Sequence, residues 1–154
     1  MKLPVETLLE EKGVLYTLHQ LDGAAISVSD VIKLSRGTLD RNEVCKTIIL
    51  RGRKSGMFFG ILLRGNDKLD TKKLKVLFKE EVAIATKEEV VVVAGVEPGA
   101  VCPFLLNCPL YVEKRVLELT NMNCGSGSHL HGLACEVKDI SKVTTYTIIE
   151  CAKM

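Results

Sequence analysis

Three stretches of this 154-residue chain carry side chains whose types and spacing bear on chemistry. The first is Val44-Cys45-Lys46-Thr47-Ile48-Ile49-Leu50, an apolar, β-branched run interrupted by one charge. Period-two alternation places Lys46 on the face shared with Val44, Ile48 and Leu50. A lysine there is either an edge-strand charge that blocks aggregation or a cation projecting into a cleft. In a cleft, low dielectric strengthens its pull on a phosphate or a developing oxyanion. The second stretch, Gly95-Val-Glu-Pro-Gly-Ala-Val-Cys-Pro103, holds two glycines and two prolines in nine residues. It is either an ordinary connection or a cradle of main-chain groups, because glycine lets a ligand or another backbone approach closely. The third, Asn123-Cys-Gly-Ser-Gly-Ser-His-Leu-His-Gly132, carries His129 and His131, which share a face if the chain is extended. Both histidines also read as exposed hairpin residues. His19 carries no motif and reads as structural.

Other chemistries lack their signatures. There is no Gly-x-Ser-x-Gly elbow, no Walker loop and no His-Glu-x-x-His helix, and Gly125-Ser-Gly127 lacks the rest of a dinucleotide fingerprint. The six cysteines, at 45, 102, 108, 124, 135 and 151, form no Cys-x-x-Cys pair and no zinc-finger spacing. Buried free thiols are expected, with no metal and no cofactor. A thiol-based redox reading would need Cys102 or Cys124 to be exposed and acidic.

The elements that must hold these residues follow from pattern. Pro4 suits a first helical turn, and Val5, Leu8 and Leu9 repeat at helical spacing up to Gly13. Residues 15–21 read as a strand, and Ser27 caps a short helix ended by Gly37. Residues 44–50 and 57–64 form a hairpin across Arg51-Gly-Arg-Lys-Ser-Gly56. Asp70 opens an amphipathic helix with apolar residues at 74, 77 and 78. Residues 82–85 are a short strand, and Thr86-Lys-Glu-Glu89 is a capping box that opens a helix towards Gly95. Residues 110–112 read as a strand, and 116–122 pair with 130–137 across the glycine-containing loop at 123–129. Residues 139–142 are a short helix or turn, and 144–151 a terminal strand.

With 47% hydrophobic and 26% charged residues, disorder and low-complexity architectures are excluded. The expectation is one α/β domain over residues 1–154, with a core that needs no staples. A formal charge of +2 does not advertise a nonspecific nucleic-acid binder, although a local basic face is compatible with it. No apolar run approaches the ~18–20 residues of a membrane helix, and Glu6, Glu10 and Glu11 stand where a signal peptide needs an apolar core. A soluble, cytoplasmic protein is expected.

The strand lysine, Asp67-Lys-Leu-Asp70 before a Lys/Leu helix, Ala85-Thr-Lys-Glu-Glu89 and Gly95-Val-Glu-Pro-Gly-Ala-Val-Cys-Pro-Phe104 follow one another in an order that resembles a known family. That family is the YbaK/prolyl-tRNA synthetase-associated domain, the aminoacyl-tRNA editing deacylases, and the resemblance runs from residue 7 to 149. It implies a mixed β-sheet curled into a barrel-like core with flanking helices. It also implies a free-standing hydrolase that cleaves the ester of mischarged aminoacyl-tRNA, tRNA(Pro) carrying alanine or cysteine. On this resemblance Lys46 matches the strand lysine near the tRNA acceptor end, and Gly99 with Ala100, Val101, Cys102 and Pro103 matches the Gly-x-x-x-Pro loop around acyl group and water. His129-Leu-His-Gly132 is similar to the site-histidine loop of editing domains inserted in bacterial prolyl-tRNA synthetases, which favours an alanine-like acyl group. His129 is then the site histidine, with His131 the alternative and Gly125 beside the acyl pocket. The implied partners are the aminoacyl-tRNA acceptor end and a prolyl-tRNA synthetase. Arg51, Arg53 and Lys54, with Lys68, Lys72, Lys73, Lys75 and Lys79, are candidates for a phosphate-facing rim, though a solvated helix face is the commoner explanation for the lysines. The alternative function is a non-catalytic aminoacyl-tRNA or nucleotide-binding module.

Overall fold

A computed structural model describes residues 2–36 and 39–154. Local chemistry sets the helix boundaries. Pro4 opens α1 (Pro4–Glu11). Ser27 accepts a hydrogen bond from Asp30 N at the start of α2 (Val28–Leu34), and Gly37, its expected stop, lies outside the described residues. The Asp70 carboxylate accepts from Lys72 N and Lys73 N at α3 (Thr71–Phe78). The capping box is present at α4 (Lys87–Ala94), where Thr86 and Glu89 exchange hydrogen bonds of 2.9 and 3.2 Å. Gly95, at φ +76°, ends α4 in the left-handed conformation that glycine adopts without strain. A short α5 (Ile140–Val143) follows much later in the chain.

The described residues also form eight strands: β1 (Tyr16–Gln20), β2 (Cys45–Gly52), β3 (Phe58–Arg64), β4 (Val82–Ile84), β5 (Leu110–Glu113), β6 (Asn121–Gly125), β7 (His131–Glu136) and β8 (Thr147–Ile149). Five form a mixed sheet in the order β4-β2-β3-β5-β8, antiparallel around β2 and parallel from β3 through β5 to β8. The other three form an antiparallel sheet, β1-β7-β6. This corrects the expected single barrel-like sheet: the described residues form two sheets, and neither closes. β4 and β8, only three residues each, end the larger sheet on both sides, and β4 pairs with β2 over residues 50–52 alone. The first half of β2 is therefore left to approach β6, and a parallel bridge between Val44 and Asn123 joins the sheets there.

Both faces of the larger sheet are covered, as the mostly apolar residues of β2 and β3 require. Leu50, Phe59, Ile61 and Leu63 pack with Leu74 of α3, and Phe78 stacks on Phe59 at 4.3 Å. On another flank Ile49 packs with Val90, Val93 and Val101. The largest cluster sets Leu62 and Val112 against Val5 and Leu9 of α1 and Met122 and Leu133 of the smaller sheet.

Two expected strands are corrected. Residues 114–118 form a 3₁₀ turn instead of the start of a strand, because the Glu113 side chain accepts from Arg115 N and Val116 is buried in the turn. β6 therefore begins at Asn121, and the hairpin loop shrinks to residues 126–130. The terminal strand is confined to β8, because residues 151–153 turn onto the 67–70 segment through Asp70 N–Cys151 O and Lys153 N–Lys68 O bonds of 2.7 and 2.8 Å.

Candidate active site

The first half of β2, the loop after α4 and the β6–β7 hairpin meet around a cavity of about 270 Å³. Lys46, Gly99, Val101, Gly125 and His129 all stand in its wall, and so does His131. Ala100, Cys102 and Pro103 are buried, but they hold the loop in the core and do not line the cavity. Aliphatic side chains dominate the wall, among them Val28 and Val31 of α2, Ile48 of β2 and Val90 of α4.

Glycine is required at the crossing of these segments. A Cβ on Gly125 would lie 2.1 Å from the Val101 carbonyl oxygen. Gly99 sits at φ +99°, and a Cβ there would lie 2.6 Å from Ile26 Cα. With glycine at both places the loops interlock, and Gly127 N donates to Ala100 O at 2.9 Å. Ala25 N and Leu21 N donate to His129 O and Leu130 O, both at 2.9 Å, which ties the 21–26 segment to the hairpin.

Lys46 is half-buried beside this crossing, and its Nζ donates to Gly65 O at 3.2 Å. Burial pulls its pKa below the ordinary lysine value and Lys68 adds to this, while Asp67 opposes it. Asp67 is itself clamped by Arg64 at 2.9 Å and Arg115 at 3.1 Å, so the loop that receives the ammonium is fixed. The His129 ring binds Ala25 O through Nδ1 at 2.8 Å. A carbonyl only accepts, so Nδ1 carries the proton and Nε2 offers a lone pair. His131 Nδ1 lies 2.9 Å from Ser128 Oγ, which also accepts from Leu130 N.

Ser128, Thr47 and Asn123 also stand in this wall, and sequence reasoning missed all three. Thr47 adjoins Lys46, a signal that was available. Asn123 reads from sequence as a loop residue, and a strand asparagine facing a cavity gives no periodic signal. Among the rim candidates, Arg51 pairs with Glu89 and Lys75 with Glu81, and Lys73 donates to Ala152 O.

Five of the six cysteines are buried and Cys108 is half-buried. Cys102 and Cys124 are buried, and burial pushes Cys102 up to about 12 and Cys124 well above its ordinary value, which removes the thiol-redox reading. Among the described residues no group of three or more His, Cys, Asp or Glu side chains is placed to hold a metal ion. No helix among them is long and apolar enough to cross a membrane.

The pattern of the aminoacyl-tRNA editing domain matches residues 27–143, which include all three cavity-forming segments. The chain belongs to the aminoacyl-tRNA editing domain family. It is 34% identical over 129 residues to the proline–tRNA ligase of Sulfurihydrogenibium sp. (strain YO3AOP1), a match to 82% of this chain and 22% of that ligase. The proline–tRNA ligase of Staphylococcus aureus (strain Newman) is 30% identical over 94 residues, 58% of this chain and 16% of the ligase. The editing domain thus spans about a fifth of the ligases it matches. Among solved structures, the hypothetical protein APE2540 superposes with a TM-score of 0.86 at 22% identity, over 97% of this chain and 99% of that one. A candidate trans-editing enzyme for prolyl tRNA synthetase superposes with a TM-score of 0.81 at 20% identity, over 97% and 95%. At these identities the superpositions establish the fold.

Proposed function

We propose that this editing domain is a hydrolase that removes a small amino acid from mischarged tRNA, with tRNA(Pro) carrying alanine or cysteine as the first candidates. One observation carries the reading: Lys46, Gly99 and His129 stand in the wall of one small, mostly aliphatic cavity. The physical need for such an enzyme is clear. A synthetase pocket discriminates one missing methylene by only about 1–3 kcal/mol, so a second, size-excluding hydrolytic site is the remedy.

In the reaction, water attacks the ester carbonyl, the acyl C–O bond breaks, and the terminal ribose oxygen leaves with a proton. Main-chain groups around Gly99 orient the water and hold the developing oxyanion, each such donor being worth roughly 2.7–4 kcal/mol. Lys46 holds the acceptor-end phosphate or ribose and supplies positive potential. His129, with Nδ1 committed to Ala25 O, presents Nε2 to an amino or hydroxyl group of the substrate. The acceptor end of aminoacyl-tRNA is the partner, and a prolyl-tRNA synthetase working alongside would raise the local supply of substrate.

The test is hydrolysis of alanyl-tRNA(Pro) and cysteinyl-tRNA(Pro) side by side, with prolyl-tRNA(Pro) as control. Loss of either mischarged ester well above the enzyme-free rate, with the prolyl ester spared, supports the reading. No acceleration of any ester returns the protein to a binding module of the same fold.

A further inference from the structure

Lys46 Nζ reaches Gly65 O at the end of the β2–β3 pair, and the backbone around that carbonyl is held from several sides. Gly65 N donates to Val44 O at 2.7 Å, and Asp67 N donates to Arg64 O at 3.0 Å, which closes a turn at residues 64–67. Glycine lets this turn sit close to its neighbours, since a Cβ on Gly65 would lie 2.9 Å from Val28 Cγ1 and 3.0 Å from Val44 O. The side chain that fixes the turn is Asp67, only 8% exposed. Its Oδ2 accepts from Arg64 Nε at 2.9 Å, and its Oδ1 from Arg115 Nη1 at 3.1 Å and Arg64 Nη2 at 3.4 Å. Burial alone would disfavour the carboxylate, but the two guanidiniums hold its pKa below the ordinary value. Arg115 also donates to Lys153 O at 3.4 Å, so the turn is anchored both to the 3₁₀ turn after β5 and to the C-terminal residues.

Taking a carboxylate out of water is costly, and a nearly buried ion pair is weak evidence of stability by itself. What this one secures is the place of Gly65 O. A lysine side chain carries about 2 kcal/mol of rotamer entropy, so one carbonyl holds an ammonium well only when the carbonyl is itself fixed. Misplacement by about 1 Å near reacting atoms can cost about a hundredfold in rate. Asp67 is not among the described residues of the cavity wall, so any effect it has there passes through Lys46. We propose that Asp67 is a positioning residue: clamped by Arg64 and Arg115, it fixes the Gly65 carbonyl that holds the Lys46 ammonium at the cavity. What the ammonium then does rests on the editing reading; the positioning does not.

The test reads the mobility of the Lys46 side chain directly, as the NMR order parameter of its Cε in protein labelled with [ε-13C]lysine. Wild type, Asp67→Asn, Arg115→Gln and Glu113→Gln are compared, with the Lys46 resonance assigned through Lys46→Arg. In the wild type Lys46 is expected to be clearly more ordered than the exposed Lys12, and in Asp67→Asn to become about as mobile as Lys12. Arg115→Gln moves it the same way and decides the matter if Asp67→Asn does not fold. Glu113→Gln weakens the hold on the C-terminal residues but leaves Asp67 both guanidiniums, so Lys46 stays ordered there. Single-turnover hydrolysis of the better mischarged ester is followed separately, and Asp67→Asn is expected to slow it about tenfold. A wild-type Lys46 as mobile as Lys12 overturns the proposal, and so does a folded Asp67→Asn in which Lys46 stays ordered. Equal loss of order in Glu113→Gln also overturns it, since the effect would then be general loosening. If the wild type cleaves an ester and Asp67→Asn cleaves it as fast, the positioning role fails and the editing reading stands. If Lys46 loses order as expected while the wild type cleaves no ester, the editing reading fails and the positioning role stands.

Discussion

Glu113 and Asn123 are both buried polar residues, 2% and 5% exposed, and the chain treats them in opposite ways. At the C-terminal clamp the Glu113 carboxylate accepts from Cys151 N at 2.5 Å, Ala152 N at 3.1 Å and Arg115 N at 3.2 Å. Nearby, Asp67 is shared between Arg64 and Arg115. At the cavity, Asn123 Oδ1 and Thr47 Oγ1 have no hydrogen-bond partner among the described residues, and the half-buried Lys46 ammonium donates to a carbonyl. The first region is closed on itself and holds the C-terminal residues in place. The second is held together by backbone contacts at two glycines and keeps side-chain capacity in reserve. Full satisfaction goes with the part that stabilises the fold, and incomplete satisfaction with the part proposed as the active site.

The largest effect that would sharpen this contrast is at Gly125. A Cβ there would stand 2.1 Å from the Val101 carbonyl oxygen, so Gly125→Ala forces main chain apart and is expected to cost about 3 kcal/mol or more in urea unfolding. A loss below about 1 kcal/mol would mean that the loop crossing yields easily. Next is Lys46→Ala, expected to slow deacylation by about a hundredfold or more. Glu113→Gln belongs to the other region. It is expected to destabilise by about 2 kcal/mol while ester hydrolysis per folded molecule stays within about twofold. A variant as stable as the wild type would show that the clamp is dispensable.

Smaller effects separate the two histidines and the thiols. His129→Ala should change rate or acyl selectivity by about tenfold, the scale of one substrate hydrogen bond, and His131→Ala by much less. The reverse order would move the site role to His131. Alkylation at pH 8 should leave the native thiols almost untouched: Cys45, Cys102 and Cys135 are pushed up to about 12 by burial, and half-buried Cys108 to about 11. Thiolate forms as pH rises through these raised values, so labelling should climb steeply only in strong alkali or on unfolding. Rapid labelling of Cys102 or Cys124 at pH 8 would contradict the buried core.

What the sequence revealed follows the range of the interactions. Thr86 and Asp70 announce their helices because a cap is made with residues two or three positions away. The β2–β3 hairpin is legible for the same reason, across the Gly52–Met57 and Gly56–Gly52 turn bonds. Lys46 stands out because a charge in an apolar strand is locally anomalous. The parallel pairing of β3 with β5 and of β5 with β8 is invisible in sequence, since each joins segments tens of residues apart. The Val44–Asn123 bridge is hidden likewise, and with it the two-sheet form in place of a barrel-like one. Ala100, Cys102 and Pro103 could not be sorted from Val101 by sequence, because only the path of the backbone decides which of them meets the cavity.

Single-turnover hydrolysis of alanyl- and cysteinyl-tRNA(Pro) by the wild type and Lys46→Ala, with urea unfolding of both proteins in parallel, tests the central claim most directly. The account predicts that the wild type cleaves at least one ester, that the variant loses at least about a hundredfold in rate, and that the two proteins are about equally stable. A variant that folds normally and cleaves as fast as the wild type would contradict it.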